Sequence, residues 1–317
     1  MKELKGFKRG INLGGWFSQC DYSKDRLDNF IREEDIIRIA SWGLDHVRLP
    51  IDYNILENND GTYIKEGFER IDRAVKMCID HGLNIIIDLH KTAGFSFDYG
   101  ENETGFFENK AYRDRFVRLW EELAKHFGIY KAHAAFELLN EVTDKSFIDV
   151  WNEVSHECIA AIRKYSPDIP VLVGSYWNNS CESVKDLAAP YDENTYYNFH
   201  CYDPLKFTHQ GATWTNGLLD PDDRFPFDEC DITPDYFEQR FAEAIAKAEA
   251  EGTGLYCGEY GVIDIVAPED ALKWFKAINE VLVRHNIGRA AWSYKEMDFG
   301  IGDARMDSVR DELLRYL

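Results

Sequence analysis

Short apolar runs alternate with longer amphipathic segments from one end of the chain to the other. The runs are rich in β-branched and aromatic residues and show little polar alternation, as expected of strands buried on both faces. They predict strands over Phe7–Leu13, His46–Ile51, Asn84–His90, Ala134–Asn140, Pro170–Trp177, Tyr196–Tyr202, Leu255–Gly261 and Ala290–Lys295. Between them, segments such as EEDIIRIASWG, EGFERIDRAVKMCIDHG and YRDRFVRLWEELAKHFG repeat apolar residues at helical spacing and stop at glycine. Eight strand–helix units in 317 residues predict a single (β/α)8 barrel over residues 1–317. A doubly wound open sheet is the competing arrangement. The fifth helix is the weakest element, with only a short polar piece near Ser183–Leu187 to form it.

One connection breaks the rhythm. From Asp203 to Pro234 no helical period is visible, and a loop of that length in a compact domain is usually functional or disordered. Its aromatic residues Trp214, Phe225 and Phe227 argue against disorder. It follows the sixth predicted strand, so in a barrel it overhangs the mouth.

Composition narrows the partners. A formal net charge of −21 disfavours binding to nucleic acid or to anionic membranes. No apolar run approaches the roughly 20 residues of a membrane span. The seven cysteines are scattered singly, with no CxxC pair or zinc spacing, and read as reduced core thiols. The start of the chain, MKELKGFKRGINLGG, carries basic residues but no apolar leader core. A cytoplasmic protein and the mature form of a secreted one both fit that start. The expectation is a monomer.

The predicted strand ends carry the candidate chemistry. In a (β/α)8 barrel those ends face the catalytic mouth. Here they present Arg48, His90, Asn140, Glu141, His200, Tyr202, Glu259 and Trp292, each ending an otherwise apolar run. Taken singly, each has a structural reading: a core cation, a helix cap, a packed ring. Six strands ending this way argue for a site, because polar groups buried without partners are costly. Two glutamates at one rim are the apparatus of glycoside hydrolysis. No GxSxG elbow, HExxH pair, phosphate loop or dinucleotide fingerprint offers another chemistry, and no metal or organic cofactor is expected.

The stretches GINLGGW, DHVRLPIDY, IIDLHK, AFELLNEV, YYNFHCYDPLKFTHQ, LYCGEYGVI and AAWSYKEMDF, in that order, resemble family 5 of the glycoside hydrolases, cellulase family A. The resemblance spans nearly the whole length. It implies that Glu141 is the acid/base and Glu259 the nucleophile of a retaining mechanism. It implies that Arg48 and Tyr202 hold Glu259, that Asn140 binds the sugar 2-hydroxyl, and that His90 and His200 line the catalytic subsite. Trp292 would form the floor under the reacting sugar. The implied substrates are β-1,4-glucan and mixed-linkage β-1,3-1,4-glucan; mannanase, xyloglucanase and exo-β-glucanase activities occur in the same family. A barrel that binds glycans without cutting them is the alternative of a different class. Trp16, Trp177 and Trp214 are further stacking candidates, with Phe95, Phe97 and Tyr176, and Asn12, Asp98, Asn178 and Asn179 are candidates for binding hydroxyls.

Overall fold

The computed structural model describes residues 1–98, 101, 103–215 and 217–317. Eight parallel strands close into a barrel in chain order: β1 (Arg9–Asn12), β2 (His46–Asp52), β3 (Asn84–Lys91), β4 (Ala134–Glu137), β5 (Val171–Val173), β6 (Thr195–Cys201), β7 (Leu255–Tyr260) and β8 (Gly288–Ala291). β8 pairs back onto β1, so the sheet has no open edge, and the doubly wound alternative falls away. Helices Glu33–Ser41, Lys65–Asp80, Lys110–Phe127, Ile148–Arg163, Pro234–Ala250 and Pro268–Arg284 make the long crossovers. After β5 the crossover shrinks to a 3-10 segment, Cys181–Asp186, where the sequence offered only a short polar piece. Among the described residues, no helix is long and apolar enough to cross a membrane.

Side chains alternate across each strand, so residues two apart share a face. That parity builds the barrel interior in layers. At the bottom, Phe7, Ile86, Ala135, Leu172, Tyr196, Tyr256 and Ala290 form a small apolar cluster of their own. Two residues further along the strands the same face turns polar: Asn12, Arg48, Asp88, Glu137 and Asn198 are all buried. The third layer reaches the mouth with His90 and His200.

The polar layer fits only because small residues face large ones. The Gly258 N–H donates to Asn198 Oδ1 at 2.9 Å, and its carbonyl accepts from Asn12 Nδ2 at 3.0 Å. A Cβ at Gly258 would lie 2.8 Å from Asn198 Oδ1 and 2.9 Å from His200 Nε2.

The long connection after β6 is packed at its root and open at its tip. Phe207, Gln210, Ala212, Cys230 and Ile232 are buried, and the Gln210 side chain bonds the backbone of Phe207 and Phe225. Trp214 and Leu218 are exposed. Gly258→Ala should destabilise the fold by about 1–3 kcal/mol through overpacking, read as a lower urea midpoint with an unchanged slope.

Candidate active site

Arg48 organises the polar layer. β2 carries it into the barrel axis, where its side chain has no solvent exposure. Its Nε and Nη2 form a two-pronged contact with Glu137 at 2.7 and 2.8 Å. Nη1 donates to Glu259 Oε1 at 2.8 Å and to Asn12 Oδ1 at 2.9 Å. Nη2 also donates to Asn140 Oδ1 at 2.8 Å and lies 3.0 Å from Asp88 Oδ2. Three carboxyls thus share one guanidinium. Charge on that scale, buried without a further cation, favours retaining a proton, and burial pushes Asp88 up to about 7 against the pull of Arg48. Burial raises Glu137 as well.

The two glutamates at the mouth have different neighbours. Glu259, on β7, receives Arg48 on one oxygen and the Tyr202 hydroxyl, at 2.8 Å, on the other. Two donors, one of them cationic, hold that carboxyl group in one orientation. Glu141 stands four residues past Glu137, just beyond the end of β4, with φ +48. That left-handed conformation is uncommon for a residue with a side chain and is found disproportionately at functional sites. Its Oε1 lies 2.8 Å from His200 Nδ1, and its Oε2 accepts from Asn178 Nδ2 at 3.1 Å. Burial pushes its carboxyl up to about 7, against the bond from Asn178 and the charge of Arg48.

The turn after β5 supplies that Asn178. Trp177, Asn178 and Asn179 are consecutive left-handed residues, with φ of +52, +55 and +56. The N–H groups of Trp177 and Asn178 donate to the carbonyls of Thr143 and Val142, locking this turn onto the segment after Glu141. Trp177 is turned out and is 55% exposed, Asn178 meets Glu141, and Asn179 is buried against His200.

Most of the predicted site residues converge, but not all. Arg48 bonds Asn140 and Glu259, Tyr202 bonds Glu259, and His200 bonds Glu141 and lies 3.6 Å from Glu259, the Asn140 amide nitrogen being buried without a partner. His90 and Trp292 lie in parallel planes with ring centroids 5.9 Å apart, with Phe97 edge-on to His90. Both His90 and Trp292 are almost fully buried. Trp177 and Trp214 are exposed aromatics on loops that follow β5 and β6. Trp16 does not belong with them. Its indole N–H donates to the Leu27 carbonyl at 3.0 Å, its ring stacks on Phe17, and it faces Arg70 and Met77 of the outer helix Lys65–Asp80. The chain leaving β1 folds Trp16 outward under the helical shell, away from the mouth. Phe95 and Tyr176 are likewise core residues. Asn12 and Asn179 are fully buried and bonded within the barrel, so they are not free to bind hydroxyls.

Two members of the cluster were not singled out by sequence, Asp88 and Glu137. The signal was there: each is an acid inside an apolar run, at the inward parity of its strand. One oxygen of Glu141, one of Glu259 and Nδ1 of His200 lie within 4.8 Å of one another. Those atoms already face Arg48, Tyr202 and each other, and a guanidinium supplies the local positive charge. The set therefore does not fit a divalent metal centre.

Paired carboxyls of unlike environment at the mouth of a (β/α)8 barrel define a glycosidase-type site. A family model described as Cellulase (glycosyl hydrolase family 5) matches residues 8–298. The chain belongs to that family and is a glycoside hydrolase. It is 58% identical over 289 residues to Cellodextrinase A of Ruminococcus flavefaciens, spanning 91% of this chain and 86% of that one. It is 36% identical over 340 residues to Endoglucanase C of Acetivibrio thermocellus, spanning 99% and 98%. Among solved structures, the cellulose synthase subunit Z of Clostridioides difficile superposes with a TM-score of 0.83 at 26% identity, covering 98% of this chain and 99% of that one.

Arg48→Ala would leave its acids uncompensated in the barrel. We expect a loss of about 3–5 kcal/mol in chemical unfolding, with Arg48→Lys only partly restoring it because an ammonium cannot make the two-pronged contact to Glu137.

Proposed function

We propose that this chain is a retaining β-glucanase that cleaves β-1,4-linked glucan by double displacement. The observation that carries this reading is the contrast between the two glutamates across a short gap. Glu259, fixed by Arg48 and Tyr202, is placed to attack the anomeric carbon as the bond to the leaving oxygen breaks. Glu141, pushed up to about 7, keeps a proton to give to that oxygen. In the second step a water adds to the anomeric carbon, its proton passes to Glu141, and Glu259 is released. Oxygens within 4.8 Å favour this route, since inverting enzymes hold their carboxyls about 6.5–9.5 Å apart to admit a water. The unpartnered amide of Asn140 supplies a donor for the sugar 2-hydroxyl.

For the substrate we favour soluble β-1,4-glucan chains, including short cello-oligosaccharides, with mixed-linkage β-1,3-1,4-glucan as a second polymer. The printed names of the relatives, Cellodextrinase A and Endoglucanase C, support the first part. The exposed rings of Trp177 and Trp214 offer stacking faces outside the catalytic subsite. Hydrolysis of carboxymethylcellulose, barley glucan, glucomannan, xyloglucan and a cello-oligosaccharide series, with sizing of the products, tests this assignment. Activity confined to glucomannan or xyloglucan would refute it.

The mechanism makes separate demands. Glu259→Gln should lower kcat by roughly three orders of magnitude or more while oligosaccharide binding persists in calorimetry. In the wild type, kcat/KM should fall as pH rises through about 7, because Glu141 then loses the proton that the leaving group needs. NMR of the first turnover should show the anomeric configuration retained; an inverted product would rule the scheme out.

A further inference from the structure

His200 faces both glutamates with one ring nitrogen and turns the other away from the mouth. Nδ1 lies 2.8 Å from Glu141 Oε1 and 3.6 Å from Glu259 Oε2. A neutral ring carries one hydrogen, and the Asn179 amide N–H faces Nε2, so Nδ1 is the nitrogen that carries it and presents it to Glu141. Nε2 is then an acceptor, and its neighbour is the Asn179 amide, with Nδ2 at 3.4 Å. Asn179 has no exposed surface, and His200 has almost none. Backbone closes over the pair: a Cβ on Gly174 would come within 2.5 Å of the Asn179 amide, and one on Gly258 within 2.9 Å of Nε2. Asn179 Oδ1 has no partner, so the contact to His200 is what orients the amide.

We propose that Asn179 is a positioning residue for the proton chemistry: by donating to Nε2 it holds His200 as the neutral Nδ1–H form, which makes Glu141 Oε1 a fixed acceptor and leaves Oε2 as the oxygen that gives up and takes back the proton. This rests on Glu141 being the acid/base. Oε2 is the oxygen beside Asn178, on the side of the turn that bears the exposed Trp177. A neutral imidazole orients Glu141 without placing a full positive charge against it. An imidazolium 2.8 Å away would instead draw the proton off Glu141 at lower pH. Burial already pushes His200 down to about 4. The other ionisable groups facing this pair are Arg48 from β2, Asp88 from β3, Asp98 from the following loop, Glu137 from β4, Tyr202 after β6 and Glu259 from β7. Arg48, the cation of that group, is committed to Glu137 and Glu259.

The test reads the imidazole directly. In the full chain labelled with 15N-histidine, with His200→Gln assigning the signals, the wild type should show a neutral ring protonated at Nδ1. Asn179→Asp sets a carboxylate against Nε2 and should give a ring protonated at both nitrogens. The alkaline limb of kcat/KM on an aryl cellobioside with a poor leaving group should then move down by about 1 pH unit. Asn179→Ala, which adds no buried charge, should move it the same way by less. A dinitrophenyl leaving group needs no proton, so its cleavage should hold its pH profile in both variants; general loss of folding would depress both substrates alike. A wild-type ring protonated at Nε2 would overturn the proposal, since the amide would then be turned over. An alkaline limb unmoved in both folded variants would overturn it as well. Azide rescue of Glu141→Ala on the dinitrophenyl substrate is the independent control: its failure would remove the acid/base assignment and leave the imidazole spectra to judge Asn179 alone.

Discussion

A single guanidinium makes the interior of this barrel possible. Three carboxyl groups and two amide oxygens converge on Arg48 in a layer closed to solvent. Burying even one uncompensated carboxylate is costly, and three around one cation are tolerable only when nearly every lone pair finds a donor. The neighbouring strands meet that condition. Asn198 bonds Glu137 and the backbone of β7, Asn12 bonds carbonyls of β7 and β8, and His90 bonds Asp88. Glycine at position 258 leaves room for these side chains to cross the axis. The charge network and the packing are therefore one constraint.

From that layer upward, identical side chains acquire different chemistry. Glu259 is reached by Arg48 from below and by Tyr202 from the side, so both oxygens are held by donors. Glu141 lies one turn of chain beyond the ladder and meets only neutral partners, an imidazole and an amide. One carboxyl is held by a cation and a hydroxyl, and the other is buried beside an imidazole and an amide and pushed up to about 7; unlike surroundings for paired carboxyls are what a two-carboxyl mechanism requires. The difference arises in the backbone. β7 stays paired with β6 through Glu259 and Tyr260, with one extra residue at Gly258 shifting the register just before Glu259, whereas β4 leaves the sheet at Glu137 and turns left-handed at Glu141.

Much of this was legible in the sequence, for identifiable reasons. Doubly buried strands announce themselves as apolar runs, so all eight were found, with ends in error by a few residues. β5 was overextended to Trp177 because the run VLVGSYW stays apolar after the chain has left the ladder at Val173. The residues at the rim were readable because polar side chains at strand ends have few structural uses. Trp16 misled because an aromatic after β1 reads the same whether it faces the mouth or the helical shell, and only the path of the chain past Gly14 and Gly15 decides. Asp88 and Glu137 are marked locally only as acids at inward positions of apolar runs, and nothing local says what such an acid is for. Its partner is a cation on another strand, 40 residues away in the chain for Asp88 and 89 for Glu137.

The three-residue corner after β5 has a consequence for how such an enzyme can diversify. Trp177 faces solvent, Asn178 meets Glu141, and Asn179 lies beneath His200, all on one stretch of left-handed backbone. On the function proposed above, a shift of that backbone made to accommodate a different glycan at Trp177 would also re-aim the two amides beside Glu141 and His200. Substrate range and acid strength are thus tied to the same few torsion angles. Lineages that change one should carry compensating changes in the other, and exchanging this corner alone between relatives of different specificity should seldom yield an enzyme as good as either parent.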